Sequence, residues 1–446
     1  MIQHSYLPNT QAQREEMLQA IGVGSVEELF SDIPVQFRNP TLDLPPALSE
    51  MELLQELASL AEENLTPGDY SCFLGGGVYR HFVPSIVGAM VSRGELLTSY
   101  TPYQPEVSQG TLQATYDYQT LICLLTGMEV ANAGMYEGAT ALAEAALMAC
   151  RVTERFKVAI LDTVNPRSRE VVASYAAPQG IQVVTVPSDR PEVDAETACL
   201  VAQYPTFLGA VPDLGAYEKA AHSKEALLVV SAYPTALGMF KPPGEYGADI
   251  VTGESQPLGV ALSYGGPYVG FFACRQRFLR QMPGRIVGKT VDSTGRPGYV
   301  LTLQTREQHI RREGATSNIC TSEALIATAT AVYMAALGPR GLRQVAELCY
   351  QKAHYAASLI AQVPGYAILP GGRAEDGSGA VPWFNEFVAQ CPVPPAELNR
   401  RLRGHRILGG LDVSDQTPNG MLFCVTETNS RREIEALAAA LAEVGG

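Results

Sequence analysis

Lysine is scarce in this chain. Six occur among 446 residues, and none lies between Lys241 and Lys289, so chemistry that runs through a lysine amine has no nucleophile on that stretch. Paired cysteines are also missing. The nine present (Cys72, Cys123, Cys150, Cys199, Cys274, Cys320, Cys349, Cys391 and Cys424) stand singly, without the C-x-x-C spacing of zinc or redox sites. Buried, reduced thiols are expected. The six histidines also stand apart, and no metal site is predicted. The N-terminus has no basic segment leading into an apolar run, and no stretch of about 18 uncharged apolar residues occurs, so a cytoplasmic protein without a membrane span is predicted. A net charge of −14 opposes nucleic acid and anionic membrane as partners.

What is present describes a globular protein, 46% hydrophobic and 17% charged. The charge is unevenly spread. Between Ala273 and Arg312, nine basic residues (Arg275, Arg277, Arg280, Arg285, Lys289, Arg296, Arg306, Arg311 and Arg312) face two acidic ones (Asp292 and Glu307), a local balance of +7. Such a segment suits docking of an acidic partner, although a solvated charged loop has the same composition.

Three predicted helix starts open the chain, at Thr10, Ser25 and Ser49, each with Gln or Glu three residues on. After Ser49, Leu53, Leu54, Leu57 and Leu60 share one stripe, which calls for cover from the body of the chain or from a second subunit. From Lys157 the pattern becomes short β-branched runs (158–161, 182–186, 200–202, 227–230, 250–251 and 268–272) separated by helix-compatible stretches. This alternation predicts a mainly parallel sheet in an α/β domain. A long helix through Ile360, a glycine-rich loop at 371–372 and 377–379, strands at 366–369, 383–388 and 421–426, and helices at 395–402 and 431–444 predict a small α+β domain. The expected division is an N-terminal helical arm (1–64), a large α/β domain (65–335) and a small C-terminal domain (336–446).

The stretch from Asp249 to Gly270 looks like the end of a pyridoxal-phosphate enzyme's core without its lysine. Tyr136 to Glu144 opens a helix whose start, Gly138, Ala139 and Thr140, offers free amides to a phosphate, although a plain helix start fits equally and Glu137 sets a carboxylate against any anion. Such a site also needs an acid at a strand end to hold the pyridine nitrogen protonated. The run Leu227 to Val230 ends instead in Ser231 and Ala232. Tyr100 to Gly110, stiffened by Pro102 and Pro105, presents Tyr100, Tyr103 and Gln104 either to a site or to a subunit seam. In the segment Leu303 to Cys320, Thr316, Ser317 and Asn318 stand before an apolar helix that they could cap, or whose start could hold an anion.

Taken together, Gly75 to His81, Tyr100 to Gly110, Met135 to Ala143, Gly247 to Glu254, Gly265 to Pro267, Met282 to Gly288 and Leu303 to Cys320 resemble the glycine-cleavage P-protein family, and specifically subunit 1 of its split form. Glu137 stands where aspartate is expected. The resemblance runs from the first helices to the last. It implies a fold-type I, aspartate aminotransferase-like architecture in which pyridoxal phosphate is held covalently by a homologous subunit 2. It further implies a heterodimer that pairs into a heterotetramer, decarboxylates glycine and passes the aminomethyl group to the lipoyl arm of H-protein. On this chain it implies a degenerate phosphate loop at Gly138, Ala139 and Thr140. Tyr100, Tyr103, Gln104, Glu106 and His81 are candidates to reach the partner's active site. Arg306, His309, Arg311, Arg312, Thr316, Ser317 and Asn318 are candidates for the lipoyl entrance or H-protein docking. Two other readings remain open: a self-sufficient desulfurase- or aminotransferase-like enzyme using Lys241 or Lys289, and a structural or regulatory partner of subunit 2 that never touches the reaction.

Overall fold

The computed structural model describes residues 6–319, 321–369 and 381–445; Cys320 and the glycine-rich loop at 371–372 and 377–379 lie outside them. The chain divides into two compact units, Met1–Leu65 and Thr66–Gly446. In the first, Thr10 and Ser49 each form a complete capping box, starting helices Gln11–Ile21 and Glu50–Glu62. The third start behaves differently. Ser25 still accepts from the Glu28 amide, but the Glu28 carboxylate bonds the Gly24 amide instead, and only a 3₁₀ turn, Glu27–Phe30, follows. No described residue of this unit is buried, and the stripe of Leu53, Leu54, Leu57 and Leu60 is exposed.

The second unit is built on a seven-stranded sheet. Its strands are β1 (Val130–Ala131), β2 (Lys157–Leu161), β3 (Gln182–Val186), β4 (Thr197–Tyr204), β5 (Leu227–Ala232), β6 (Ile250–Glu254) and β7 (Gly270–Cys274). They lie in the order β1-β7-β6-β5-β4-β2-β3. Five neighbouring strands from β6 to β3 run parallel, and β7 is antiparallel to both of its neighbours. Consecutive residues of a strand point to opposite faces. Leu200, Val201 and Ala202 are all fully buried, so both faces of the sheet are covered, as parallel pairing requires. Phe271 and Phe272 at 0% exposure contribute about 1.5–3 kcal/mol each through burial. All six predicted runs become strands. The two-residue edge strand β1 was too short to show periodicity.

A hairpin of β8 (Ile286–Val291) and β9 (Pro297–Thr302) lies within the basic segment. The long helix Ala324–Ile360 is broken at Gly338, whose φ of 61° and ψ of −179° are non-helical, directly before Pro339. A second, antiparallel sheet follows, formed by β10 (Ala367–Leu369), β11 (Glu386–Gln390), β12 (Leu411–Asp412) and β13 (Gly420–Cys424) in the order β10-β11-β13-β12. Helices Pro395–Leu402 and Arg431–Val444 complete the chain. Among the described residues no helix is long and apolar enough to cross a membrane. The eight described cysteines are free thiols, all buried except the half-buried Cys123.

Candidate functional site

In sheets of this kind ligands bind beyond the carboxyl ends of the parallel strands. A cavity of about 340 Å³ lies there, bounded by Gln203 of β4, Ser231 and Ala232 of β5, Glu254 ending β6 and the start of helix Gly138–Thr153. The helix start is occupied by this chain's own carboxylates. Glu137 accepts from the Ala139 amide at 2.6 Å and from the Thr140 amide at 3.1 Å. Glu254 accepts from the Gly138 amide at 2.9 Å, and also from the amides of Gln256 (2.9 Å) and Val269 (3.3 Å). Burial pushes Glu254 up to about 7, with the Glu137 charge adding to it and the three amide bonds opposing it. Only glycine fits at 138, because a Cβ there would lie 3.0 Å from the Glu254 backbone nitrogen and Cβ. The sequence marked Glu137; it missed Glu254, whose signal was an acid at the very end of a strand.

Two tyrosines form one wall of the cavity, stacked at 4.1 Å. The Tyr79 hydroxyl donates to Glu386 at 2.8 Å, and the other oxygen of that carboxylate accepts from the Gly76 amide at 2.6 Å. Burial pushes Glu386 up to about 7. Tyr233 Oη lies 2.6 Å from His81 Nε2, and His81 Nδ1 lies 2.7 Å from Glu427. Burial opposes ionisation of Glu427, yet its hydrogen bond and charge interaction with His81 outweigh that and hold it below the ordinary carboxylate range. Cys349 Sγ stands 3.4 Å from the same oxygen. His81, Cys349 and Glu427 thus form a cluster that residue spacing did not reveal. Burial and Glu427 push the thiol well up, and the three groups form a hydrogen-bonded chain ending at Tyr233. His81, expected to reach a partner, is 7% exposed and bonded within its own chain.

The other candidates meet elsewhere. Tyr100 is 74% exposed, and Gln104 and Glu106 are exposed around the 3₁₀ turn Pro105–Val107. Behind this loop stands the buried Arg285, which donates to Thr101 Oγ1 (3.2 Å) and to the Tyr103 hydroxyl (2.9 Å) and pairs with the buried Glu307 at 3.4 Å. Glu307 also lies 3.4 Å from His309, whose ring meets Tyr103 edge-on. Tyr103 and His309, expected in separate sites, share one network. A cavity of about 130 Å³ opens beside it, lined by Tyr100, Thr101, Arg285 and Ser322.

Arg306 is buried. Its guanidinium donates to the carbonyls of Leu303 (3.1 Å), Gly284 (3.0 Å) and Met282, which fixes a turn and leaves nothing for a docking partner. Arg275 pairs with Glu129 and Arg277 with Asp249, so the local excess of positive charge is partly neutralised within the chain. Arg311, Arg312 and Asn318 are exposed, and Thr316 and Ser317 are half-buried. Thr316, Ser317 and Asn318 do not cap the next helix, which begins at Ala324 behind Glu323.

This architecture is the fold-type I pyridoxal-phosphate enzyme fold. It recurs in the sphingosine-1-phosphate lyase of Burkholderia pseudomallei (TM-score 0.62, 18% identity, 92% of this chain and 93% of that one). Similarity is far greater to a crystal structure of glycine decarboxylase (P-protein) of the glycine cleavage system in inhibitor-bound form: TM-score 0.92 and 45% identity over 99% of this chain and 100% of that one. The "probable glycine dehydrogenase (decarboxylating) subunit 1" of Desulforamulus reducens is 51% identical over 98% of this chain and 99% of its own length. The model of the glycine cleavage system P-protein family matches residues 4–441, and the chain belongs to that family.

The strand-end cavity does not fit the cofactor of this fold. The amides that would receive a phosphate are bonded to Glu137 and Glu254, and β5 ends in Ser231 and Ala232 where an acid would face the pyridine nitrogen. Neither lysine flanking the gap lines the cavity. Lys241 lies over the Tyr246 ring at 4.2 Å, and Lys289 is exposed on the β8–β9 hairpin.

Proposed function

We propose that this chain is the subunit of a split glycine decarboxylase that carries no cofactor lysine. With subunit 2, which holds pyridoxal phosphate covalently, it decarboxylates glycine and transfers the aminomethyl group to the lipoyl arm of H-protein, in a heterodimer that pairs into a heterotetramer. One observation carries the reading: a full-length P-protein fold whose own cofactor site is filled by carboxylates and lacks both lysine and acid.

The cofactor supplies the electron sink for decarboxylation. This chain supplies walls. Tyr100, Tyr103 and Gln104 sit on an exposed loop whose base is tied to the buried Arg285, a rigid mount for groups that orient glycine and exclude water across a subunit seam. His309 meets the Tyr103 ring of that loop, and with the exposed Arg311 and Arg312 that follow it in the chain it steers an acidic H-protein carrying the lipoyl arm. Fixed support behind an exposed loop favours contribution to the reaction over a purely structural role.

The test is glycine-dependent exchange of labelled carbon dioxide with H-protein. This chain alone, subunit 2 alone and their mixture are compared. Exchange confined to the mixture is expected; exchange by this chain alone would make it a self-sufficient enzyme, and equal exchange by subunit 2 alone would make it dispensable.

A further inference from the structure

The carboxylates at the strand-end cavity do more than cap a helix. Five amides from three separate segments converge there: Gly138, Ala139 and Thr140 of the helix, Gln256 in the turn after β6, and Val269 before β7. A capping side chain satisfies part of the free amides at a helix start, and Glu137 already takes those of Ala139 and Thr140. Glu254 is a second acid, from the end of a different strand, brought against the same dipole. Its ionisation is opposed by burial and by Glu137, a cost that capping alone does not require. Two carboxylates together can match the charge of a phosphate monoester, about −1.5 to −2 at neutral pH.

We infer that Glu137 and Glu254 form a built-in phosphate surrogate that keeps pyridoxal phosphate off this chain, so that in a complex of two homologous folds the cofactor loads only onto the other. The inference rests on the reading of this chain as the subunit without the cofactor, and it names the residues that enforce that role. Exclusion has two parts. An incoming phosphate meets amides already bonded by carboxyl groups of the same chain, against which a free ligand competes poorly. It also meets two carboxyl groups, those of Glu137 and Glu254, at the place where it would need cations. Among the described residues the one guanidinium on the cavity wall, that of Arg167, is exposed and paired with Glu170 at 3.2 Å.

The experiment is a phosphate titration of the full-length chain alone, wild type against Glu137→Ser with Glu254→Gln, read by thermal shift and calorimetry with chloride at matched ionic strength as control. In the double variant, serine retains a small cap and glutamine retains an acceptor, while both charges are gone. Inorganic phosphate is expected to raise the Tm of the double variant and leave the wild type unmoved, an apparent affinity gain of at least about tenfold, with pyridoxal phosphate competing for the same site. A folded double variant that ignores phosphate overturns the proposal, as does a wild type that binds phosphate equally well. If the double variant does not fold, the two single variants replace it, and no phosphate response in either overturns the proposal. Because subunit 2 is absent, this result is separate from the exchange assay that tests the functional reading.

Discussion

The guanidinium of Arg285 donates a 2.9 Å hydrogen bond to the Tyr103 hydroxyl and sits 5.3 Å from the centre of the same ring. A buried cation holds an exposed tyrosine from behind, so the tyrosine presents its outer edge in one orientation. Replacing Tyr103 by Phe removes the acceptor while keeping the ring. In the assembled enzyme kcat is expected to fall about tenfold or more, the cost of losing about 1.4 kcal/mol of orientation, while the Tm of this chain changes little. Unchanged turnover in Tyr103→Phe, Tyr100→Phe and Gln104→Ala would show that the loop contributes nothing to the reaction.

Arg306 tests the opposite expectation. Its guanidinium satisfies three buried backbone carbonyls, so Arg306→Met is expected to destabilise the chain by about 3 kcal/mol, measured by denaturant unfolding. A stable Arg306→Met chain that has lost only H-protein binding would return this residue to the surface role that the sequence suggested.

Glu386 gives a pH signature. Its folded pKa of about 7 lies above the ordinary 4.5, so the folded state holds this proton more tightly. That stability is fully present below about 4.5 and is lost as the pH rises through about 7, about 3 kcal/mol in all. Glu386→Gln cannot ionise and can still accept from the Gly76 amide. Its stability relative to wild type is expected to rise between about pH 5 and pH 8. A pH-independent difference in unfolding free energy would show that Glu386 does not carry a raised pKa.

Arg311 and Arg312 are exposed at the end of the short helix Gln308–Arg311, which also carries His309. Reversing both charges is expected to raise the KM for H-protein about tenfold with kcat retained, and to weaken the salt dependence of the reaction. A fall in kcat at unchanged KM would place these arginines in the chemistry instead of in docking.

The strands and most helices were legible because local patterns decide them: β-branched runs for β2 to β7, and hydroxyl-to-carboxylate spacing for the helices after Thr10 and Ser49. The Ser25 start failed because its glutamate found a nearer amide at Gly24. Of the site, the missing lysine and the empty strand end at Ser231 and Ala232 could be read directly. The partnerships could not. His81 and Glu427 are 346 residues apart, and Arg285 and Tyr103 are 182 apart, distances over which spacing carries no information. Charge counting could not show that Arg275, Arg285 and Arg306 are engaged within the fold, or that the exposed Arg277 pairs with the buried Asp249.

The central claim is that the cofactor belongs to the partner subunit and not to this chain. Borohydride reduction of the complex reconstituted with pyridoxal phosphate, followed by intact-mass measurement of each chain, addresses it directly. The account expects a pyridoxyl adduct on subunit 2 and an unmodified mass for this chain. An adduct on this chain, at Lys241, Lys289 or any other lysine, would contradict it.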